Sequence, residues 1–281
     1  RLLQGLLANH SLSMNNLVGV AYSQGPGLGP CLRVGASVAR AIATARRVPL
    51  IGVNHCVAHI EIGRTVCDCD DPVLLYVSGG NTQVITRLDG RYRVLGETMD
   101  IGIGNMLDKF ARHHGYPFPG GPEIEKAALR FRESVESPSI EGLELPYAVQ
   151  GMDLAFSGLL NAADTLVEKG AGFEAVCWSL QEHAFAASIE VAERALAHTG
   201  KTELLLGGGV ACNERIREMS EIMCIERGAT AYWPPKMYCI DNGTMIALLG
   251  LLQLESIGPT ELIDSAVDQM LRTDMTPVAW A

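Results

Sequence analysis

The chain has 281 residues, long enough for one large domain or two lobes of ordinary size. With 48% hydrophobic and 19% charged residues it carries enough apolar material for a core, which excludes a mostly disordered chain. A net charge of -10 has the wrong overall sign for a protein that grips nucleic acid alone by releasing counterions from phosphates. A nucleic-acid ligand would need a local basic patch or a partner to supply the attraction. Thirty glycines against 6% aromatics suggest an α/β fold, in which glycines build ligand turns at strand ends. The eight cysteines are scattered and form no CxxC pair, as expected of buried thiols in a reducing compartment. With no signal peptide at the start and no long uncharged apolar run, the chain reads as a soluble intracellular protein that does not engage a membrane.

Residues 1–13 look helical. Residues 17–29, LVGVAYSQGPGLG, read as a buried strand running into a Gly/Pro turn, and residues 30–47 as a helix with small residues for close packing. Val48 to Val53 is a second short strand, followed by a helix over NHCVAHIEIGR with Asn54 as its N-cap. The acidic break TVCDCDDP is a candidate lobe boundary. Residues 73–98 carry β patterning with turns at Gly79-Gly80-Asn81 and Asp89-Gly90, the second a strong hairpin signal. An amphipathic helix closed by Gly115 follows, then a Pro/Gly turn opening another helix. Residues 133–150 are loop-like. The spacing predicts a long amphipathic helix stopping at Gly200 and a strand, Gly turn and helix over 203–228. A turn then opens an apolar helix at YCIDNGTMIALLGLLQL, and RTDMTPVAWA reads as a tail. The strand–Gly turn–helix unit at 17–42 recurs at 203–226, as two related lobes would show.

His55 and His59, four apart on a helix, present both imidazoles on one face, close enough to share a metal; a packed or surface pair is the alternative. Cys56 stands where the zinc-protease HExxH motif needs its glutamate, so that motif is absent. Asp241 could add a carboxylate to a facial two-His set, or could simply cap the helix that follows. Tyr76 could add a phenolate or be a core tyrosine. The turn at Ser78, Gly79 and Gly80 could form a backbone N–H nest for phosphate oxygens, or be an ordinary hairpin turn with Gly at positive φ. The three glycines of LLLGGGVACNERI let a ligand approach the backbone in front of a helix N-terminus, with Asn213 as a cap in the plainer reading. Asp108 has Arg112 four residues on, the spacing of a surface ion pair, and Gly121 and Glu125 lie in a Pro-opened helix start.

Seven stretches, NHCVAHIEIGR, YVSGGNTQVI, GETMDIGIGNMLDKFAR, PGGPEIE, GMDLAFSG, LLLGGGVACNERI and CIDNGTMIA, occur in the order of one family. The chain resembles the Kae/TsaD threonylcarbamoyl transferases, once described as O-sialoglycoprotein endopeptidases. GMDLAFSG, CIDNG and the tail LRTDMTPVAW resemble the archaeal and eukaryotic cytosolic branch. The resemblance implies an ASKHA (actin-like) α/β fold of two lobes around a nucleotide cleft. Residues 1–70, completed by about 241–281, would form the first lobe and 71–240 the second. The family normally opens with a strand and phosphate turn ahead of the position of Arg1, so the first lobe is expected to be incomplete.

The resemblance further implies a metal, iron or alternatively zinc, on His55, His59, Tyr76 and Asp241. It places threonylcarbamoyl-AMP near Tyr76, Val77, Ser78, Gly79, Gly80, Asp108, Gly121, Glu125 and Asn213. The implied activity is tRNA N6-adenosine threonylcarbamoyl transfer to the adenosine 3′ of the anticodon in tRNAs reading ANN codons. The implied setting is a KEOPS complex with a small protein kinase, in the cytoplasm, with the nucleus as an alternative location. A truncated, non-catalytic nucleotide-binding scaffold is the second expectation. No side chain stands out as a general base.

Overall fold

The computed structural model describes residues 2–280. In chain order the helices and strands are α1 (Leu2–Asn9), β1 (Val20–Gly25), α2 (Gly29–Arg46), β2 (Leu50–Asn54), α3 (His55–Cys67), β3 (Val73–Val77), β4 (Thr82–Leu88) and β5 (Arg91–Glu97). There follow α4 (Ile103–His113), α5 (Gly121–Ser134), the two-residue strands β6 (Val149–Gln150) and β7 (Asp153–Leu154), α6 (Ser157–Glu168) and α7 (Phe173–Thr199). The run closes with β8 (Glu203–Gly207), α8 (Glu214–Arg227), β9 (Thr230–Tyr232), α9 (Lys236–Cys239) and α10 (Gly243–Ser256). None of these helices is long and apolar enough to cross a membrane.

The chain divides into two compact units. Unit 1 holds 1–62, 88–92 and 242–281, and unit 2 holds 63–87 and 93–241. In unit 1, β1 and β2 run parallel, with Val20 opposite Leu50 and Ser23 opposite Val53. Parallel neighbours need a crossover, and α2 supplies it. Its small residues Ala36, Ala39 and Ala43 pack with Tyr22 and Leu50 into the unit's core. On α10, a Cβ at Gly250 would lie 2.4 Å from the Ala21 Cβ, so glycine permits that close approach to β1.

The C-terminal segment is not a tail. Tyr22 Oη donates to the Ser265 carbonyl at 2.8 Å, and Gln24 Nε2 donates to the carbonyls of Asp264 and Ala266, each at 2.9 Å. Arg91 bridges to Pro277, and Thr273, Thr276 and Val278 are buried. These residues have no strong helical or strand period, so their order comes from long-range hydrogen bonds that sequence patterning cannot display.

Unit 2 is built on a five-stranded sheet in the order β5-β4-β3-β8-β9. The pair β3–β4 is antiparallel, whereas β8 runs parallel to both β3 and β9. Every residue of β3 is buried, the unbroken apolar pattern of a strand covered on both faces. The Asp89-Gly90 turn has both residues at positive φ (52° and 69°), as the hairpin signal requires. Helices α4 to α8 contribute Phe110, Ile124, Leu159, Phe185 and Ile216 to one core with Val73, Leu75, Leu204 and Leu206. The helix α6 carries no sequence signal as clear as its neighbours. Its N-terminus is capped from a distance, because the Asp100 carboxylate accepts from Phe156 N and Ser157 N at 2.9 Å each.

Candidate functional site

Unit 2 brings two glycine turns together. Since β3 and β8 are parallel neighbours with Tyr76 opposite Gly207, both strands deliver their C-terminal ends to the same edge. That edge is where ligands bind in parallel α/β sheets. Gly208 has φ +90°, and a Cβ there would lie 2.4 Å from the Val77 carbonyl oxygen, so only glycine lets the second turn lie against the first.

The Ser78–Asn81 turn is closed internally. Ser78 N donates to Asn81 O at 2.9 Å, and Asn81 N donates to Ser78 Oγ at 3.1 Å. Gly104 N and Asn105 N, in the first turn of α4, donate to the carbonyls of Ser78 and Gly79 at 3.1 and 2.8 Å. Neither Gly79 nor Gly80 has a positive φ, so the ordinary-hairpin account of these glycines does not apply. Instead, a Cβ built on Gly102 would meet the Gly79 carbonyl at 2.6 Å, so this loop is compressed onto the start of α4. Among the described residues, the N–H groups of Gly79 and Gly80 donate to no backbone acceptor outside the strands and helices. Two adjacent free amides at a strand end suit an anionic oxygen.

Asp108 serves the next turn rather than a surface ion pair. Its Oδ1 accepts from Gly120 N at 2.7 Å and Gly121 N at 3.1 Å, which fixes the Pro-Gly-Gly entry into α5. One turn further along α5, Glu125 Oε1 accepts from Glu214 N at 2.8 Å. Asn213 is the N-cap of α8, and its Oδ1 accepts from Arg215 N at 2.9 Å. The first N–H groups of α8 are therefore taken by the protein's own Glu125 and Asn213. The backbone amides of that helix start are not the anion site the glycine run suggests.

A cavity of about 480 Å³ opens among α5, α7 and α8, with Glu125, Leu129, Trp178, Gln181, Asn213 and Trp233 in its wall. Its cations are paired. Arg215 grips Glu182 through two nitrogens at 2.6 and 2.7 Å, and Arg132 grips Glu218 at 2.8 and 3.0 Å. Arg217 donates through Nε to the Ala211 carbonyl at 2.7 Å and lies 5.8 Å from the centre of the Trp233 ring. Tryptophan walls with a few fixed polar groups suit a flat heteroaromatic ligand. Trp178, Gln181 and Trp233 were not legible from local sequence, since each sits in an ordinary apolar or amphipathic pattern.

Burial pushes the Glu125 carboxyl above its ordinary range, against the opposing hydrogen bond from Glu214 N. A carboxyl whose folded-state pKa lies above its unfolded value, about 4.3, weakens the fold as pH rises through the raised value; below the unfolded value the penalty vanishes. Glu125→Gln keeps an acceptor for Glu214 N and removes the charge. It is expected to melt above the parent at pH 7, with the gain shrinking towards pH 4. Thermal scans at the two pH values check this, and a gain that does not change with pH would contradict it.

In unit 1, Asn54 caps α3: its Oδ1 accepts from Cys56 N at 2.9 Å and Val57 N at 3.2 Å. The cap starts the helix at His55, so His55 and His59 fall on one face with ring centroids 5.0 Å apart, and His59 is buried. Asp241 ends unit 2, one peptide bond before the unit 1 segment that starts at Asn242. It is not the cap of α10. Asn242 fills that role, with Oδ1 accepting from Met245 N at 2.9 Å. His55 and His59 supply two imidazoles and Asp241 a carboxylate, donor types that could hold a metal ion. Tyr76 is buried in β3.

Comparison with known proteins shows the family. The family model described as TsaD, tRNA N6-adenosine threonylcarbamoyltransferase, matches residues 1–248. The chain belongs to this family. It is 55% identical over 262 residues to the tRNA N6-adenosine threonylcarbamoyltransferase of Methanocella arvoryzae, covering 93% of this chain and 78% of that one. It is 54% identical over 271 residues to a probable bifunctional tRNA threonylcarbamoyladenosine biosynthesis protein of Methanosarcina mazei, covering 96% of this chain but 48% of that one. The chain thus spans about half the length of the bifunctional relatives. Among solved structures, HypF of T. kodakarensis superposes with a TM-score of 0.66 at 17% identity, over 87% of this chain and 41% of that one. That likeness concerns the fold alone, which is of the ASKHA type that the resemblance implied. Like the other members of the family, the chain is a transferase acting in tRNA threonylcarbamoyladenosine modification.

Proposed function

We propose that this chain transfers the threonylcarbamoyl group of threonylcarbamoyl-AMP to N6 of the adenosine 3′ of the anticodon, in tRNAs reading ANN codons. The observation that carries the reading is the run of contacts in unit 2, from the Ser78 turn to α4, from Asp108 to Gly121, and from Glu125 to the residue after Asn213. These contacts link residues scattered over 78–213, and Glu125 and Asn213 stand in the wall of the tryptophan-walled cavity, which supports an adenylate site there. In this reading the adenosine part lies against Glu125 and Asn213. The anhydride lies towards Ser78, Gly79 and Gly80, and the Gly79 and Gly80 amides stabilise charge developing on the carbamoyl oxygen. The N6 amine attacks the carbamoyl carbon, and AMP leaves.

His55, His59, Asp241 and Tyr76 would hold the metal. Two imidazoles with oxygen donors suit iron and also zinc, and we favour iron. Such an ion supplies Lewis-acid polarisation of carbamoyl or phosphoryl oxygens. The net charge of -10 makes a partner the source of basic surface for tRNA, and KEOPS subunits, including a small protein kinase, fit that need. The M. mazei relative, named bifunctional and about twice as long, fits a partner activity beside this chain.

Reconstitution tests the reading. The chain, its partners, an adenylate-forming enzyme, L-threonine, bicarbonate, ATP and an ANN-decoding tRNA are expected to yield threonylcarbamoyladenosine, read by mass spectrometry of the nucleosides. Nucleotide binding without product under these conditions would instead mark the chain as a scaffold.

A further inference from the structure

We infer that Gln181 is a ligand-binding residue of the unit 2 cavity, donating through its Nε2 amide to an acceptor atom of the nucleoside. The inference rests on the adenylate reading above and adds a residue that neither the motifs nor the family match assigns.

The argument is one of amide orientation. A buried carboxamide can face either way, and its partners decide which end is oxygen. At Asn213 the decision is made by backbone: Arg215 N can only donate, so the atom facing it at 2.9 Å is Oδ1. Nδ2 then points the other way and donates to Gln181 Oε1 at 2.6 Å. That contact fixes Gln181 in turn, with its oxygen towards Asn213 and Nε2 on the opposite side. Among the described residues Gln181 Nε2 donates to no acceptor, and it is not one of the buried polar atoms sealed off without a partner. Gln181 and Asn213 are 3% and 6% exposed, and both line the cavity. The α8 backbone therefore sets, through two side chains, which end of Gln181 carries its N–H groups, and Gln181 is a residue of the cavity wall. The rest of the wall is mixed, apolar at Ala128, Leu129 and the two tryptophans and charged at Glu125 and at the arginines and glutamates described above. An adenine ring carries nitrogen acceptors on every edge, so a fixed donor between aromatic walls fits it. A donor held here without a ligand acceptor would be left poorly satisfied, and such sites discriminate strongly.

Two variants and one probe test this. ATP binding is measured by calorimetry at pH 8.5 for the parent, Gln181→Glu and Gln181→Met, beside their melting temperatures. Gln181→Glu keeps the oxygen that Asn213 needs and replaces the donor by an acceptor, whereas Gln181→Met removes both. The expected result is ATP binding weakened at least tenfold in both variants, with the melting temperature falling chiefly in Gln181→Met. If Gln181→Met weakens binding and Gln181→Glu binds as the parent does, Gln181 acts only by holding Asn213 and the inference is overturned. Parental binding in both variants overturns it as well. A parent that binds no ATP overturns the adenylate reading itself, and this inference with it.

Discussion

The double variant His55→Ala, His59→Ala is expected to purify without stoichiometric metal and to form no detectable threonylcarbamoyladenosine in the reconstituted reaction. The helix that carries both imidazoles starts where Asn54 caps it, so the two side chains are placed by backbone geometry and not by a flexible loop. Loss of a single supporting group around a bound ion already costs about 10–100-fold in affinity, and here two direct ligands go. Metal content by elemental analysis and product by mass spectrometry are the readouts. His59 is buried, so its truncation also leaves a void. A circular-dichroism melt separates that loss from the loss of metal. A double variant that keeps its metal would remove His55 and His59 from the ligand set.

Gly208→Ala is expected to be strongly destabilising. The residue sits at φ +90°, where a Cβ is strained whatever the space. That Cβ would also stand 2.4 Å from the Val77 carbonyl oxygen and 3.2 Å from Ser78 N. Neither neighbour can yield, because both are backbone at the end of a central strand. The turn must then separate from β3, at a cost of about 3 kcal/mol or more by strain and lost packing together. Chemical denaturation measures the stability, and ATP binding is expected to fall with it, because Asn213 follows on the displaced turn. By contrast Gly209→Ala, with nothing within 4 Å of its added Cβ, is expected to be tolerated. Equal stability of the two variants would refute the close-approach account of the glycine run.

Much of the architecture was legible in local pattern. The uninterrupted apolar run of β3, the Asp89-Gly90 hairpin, the Asn54 cap and the Gly115 and Gly200 helix stops are short-range effects. Each follows from one residue's conformational preference or one hydrogen bond a few positions away. The site residues were legible as motifs but not as roles. Asp108 has Arg112 at ion-pair spacing, yet it binds two backbone amides twelve and thirteen residues on. Asp241 stands where a cap could be, yet the next residue is the cap. Asp108 is one acceptor with a choice of donors, and at α10 two acceptors compete for one donor; only the path of the chain decides each outcome.

The sequence by itself determined the family, the α/β class, the glycine-bearing strand ends and the helix that carries His55 and His59, because these depend on residue type and spacing within one or two turns. Tertiary structure decided the packing of the 262–278 segment, the capping of α6 by Asp100, the blocking of the α8 amides by Glu125 and the orientation of Gln181. Those outcomes rest on hydrogen bonds between residues tens to hundreds of positions apart. A directional bond of that kind leaves no period in the sequence; it exists only once the sheet and its helices have brought donor and acceptor within 3 Å.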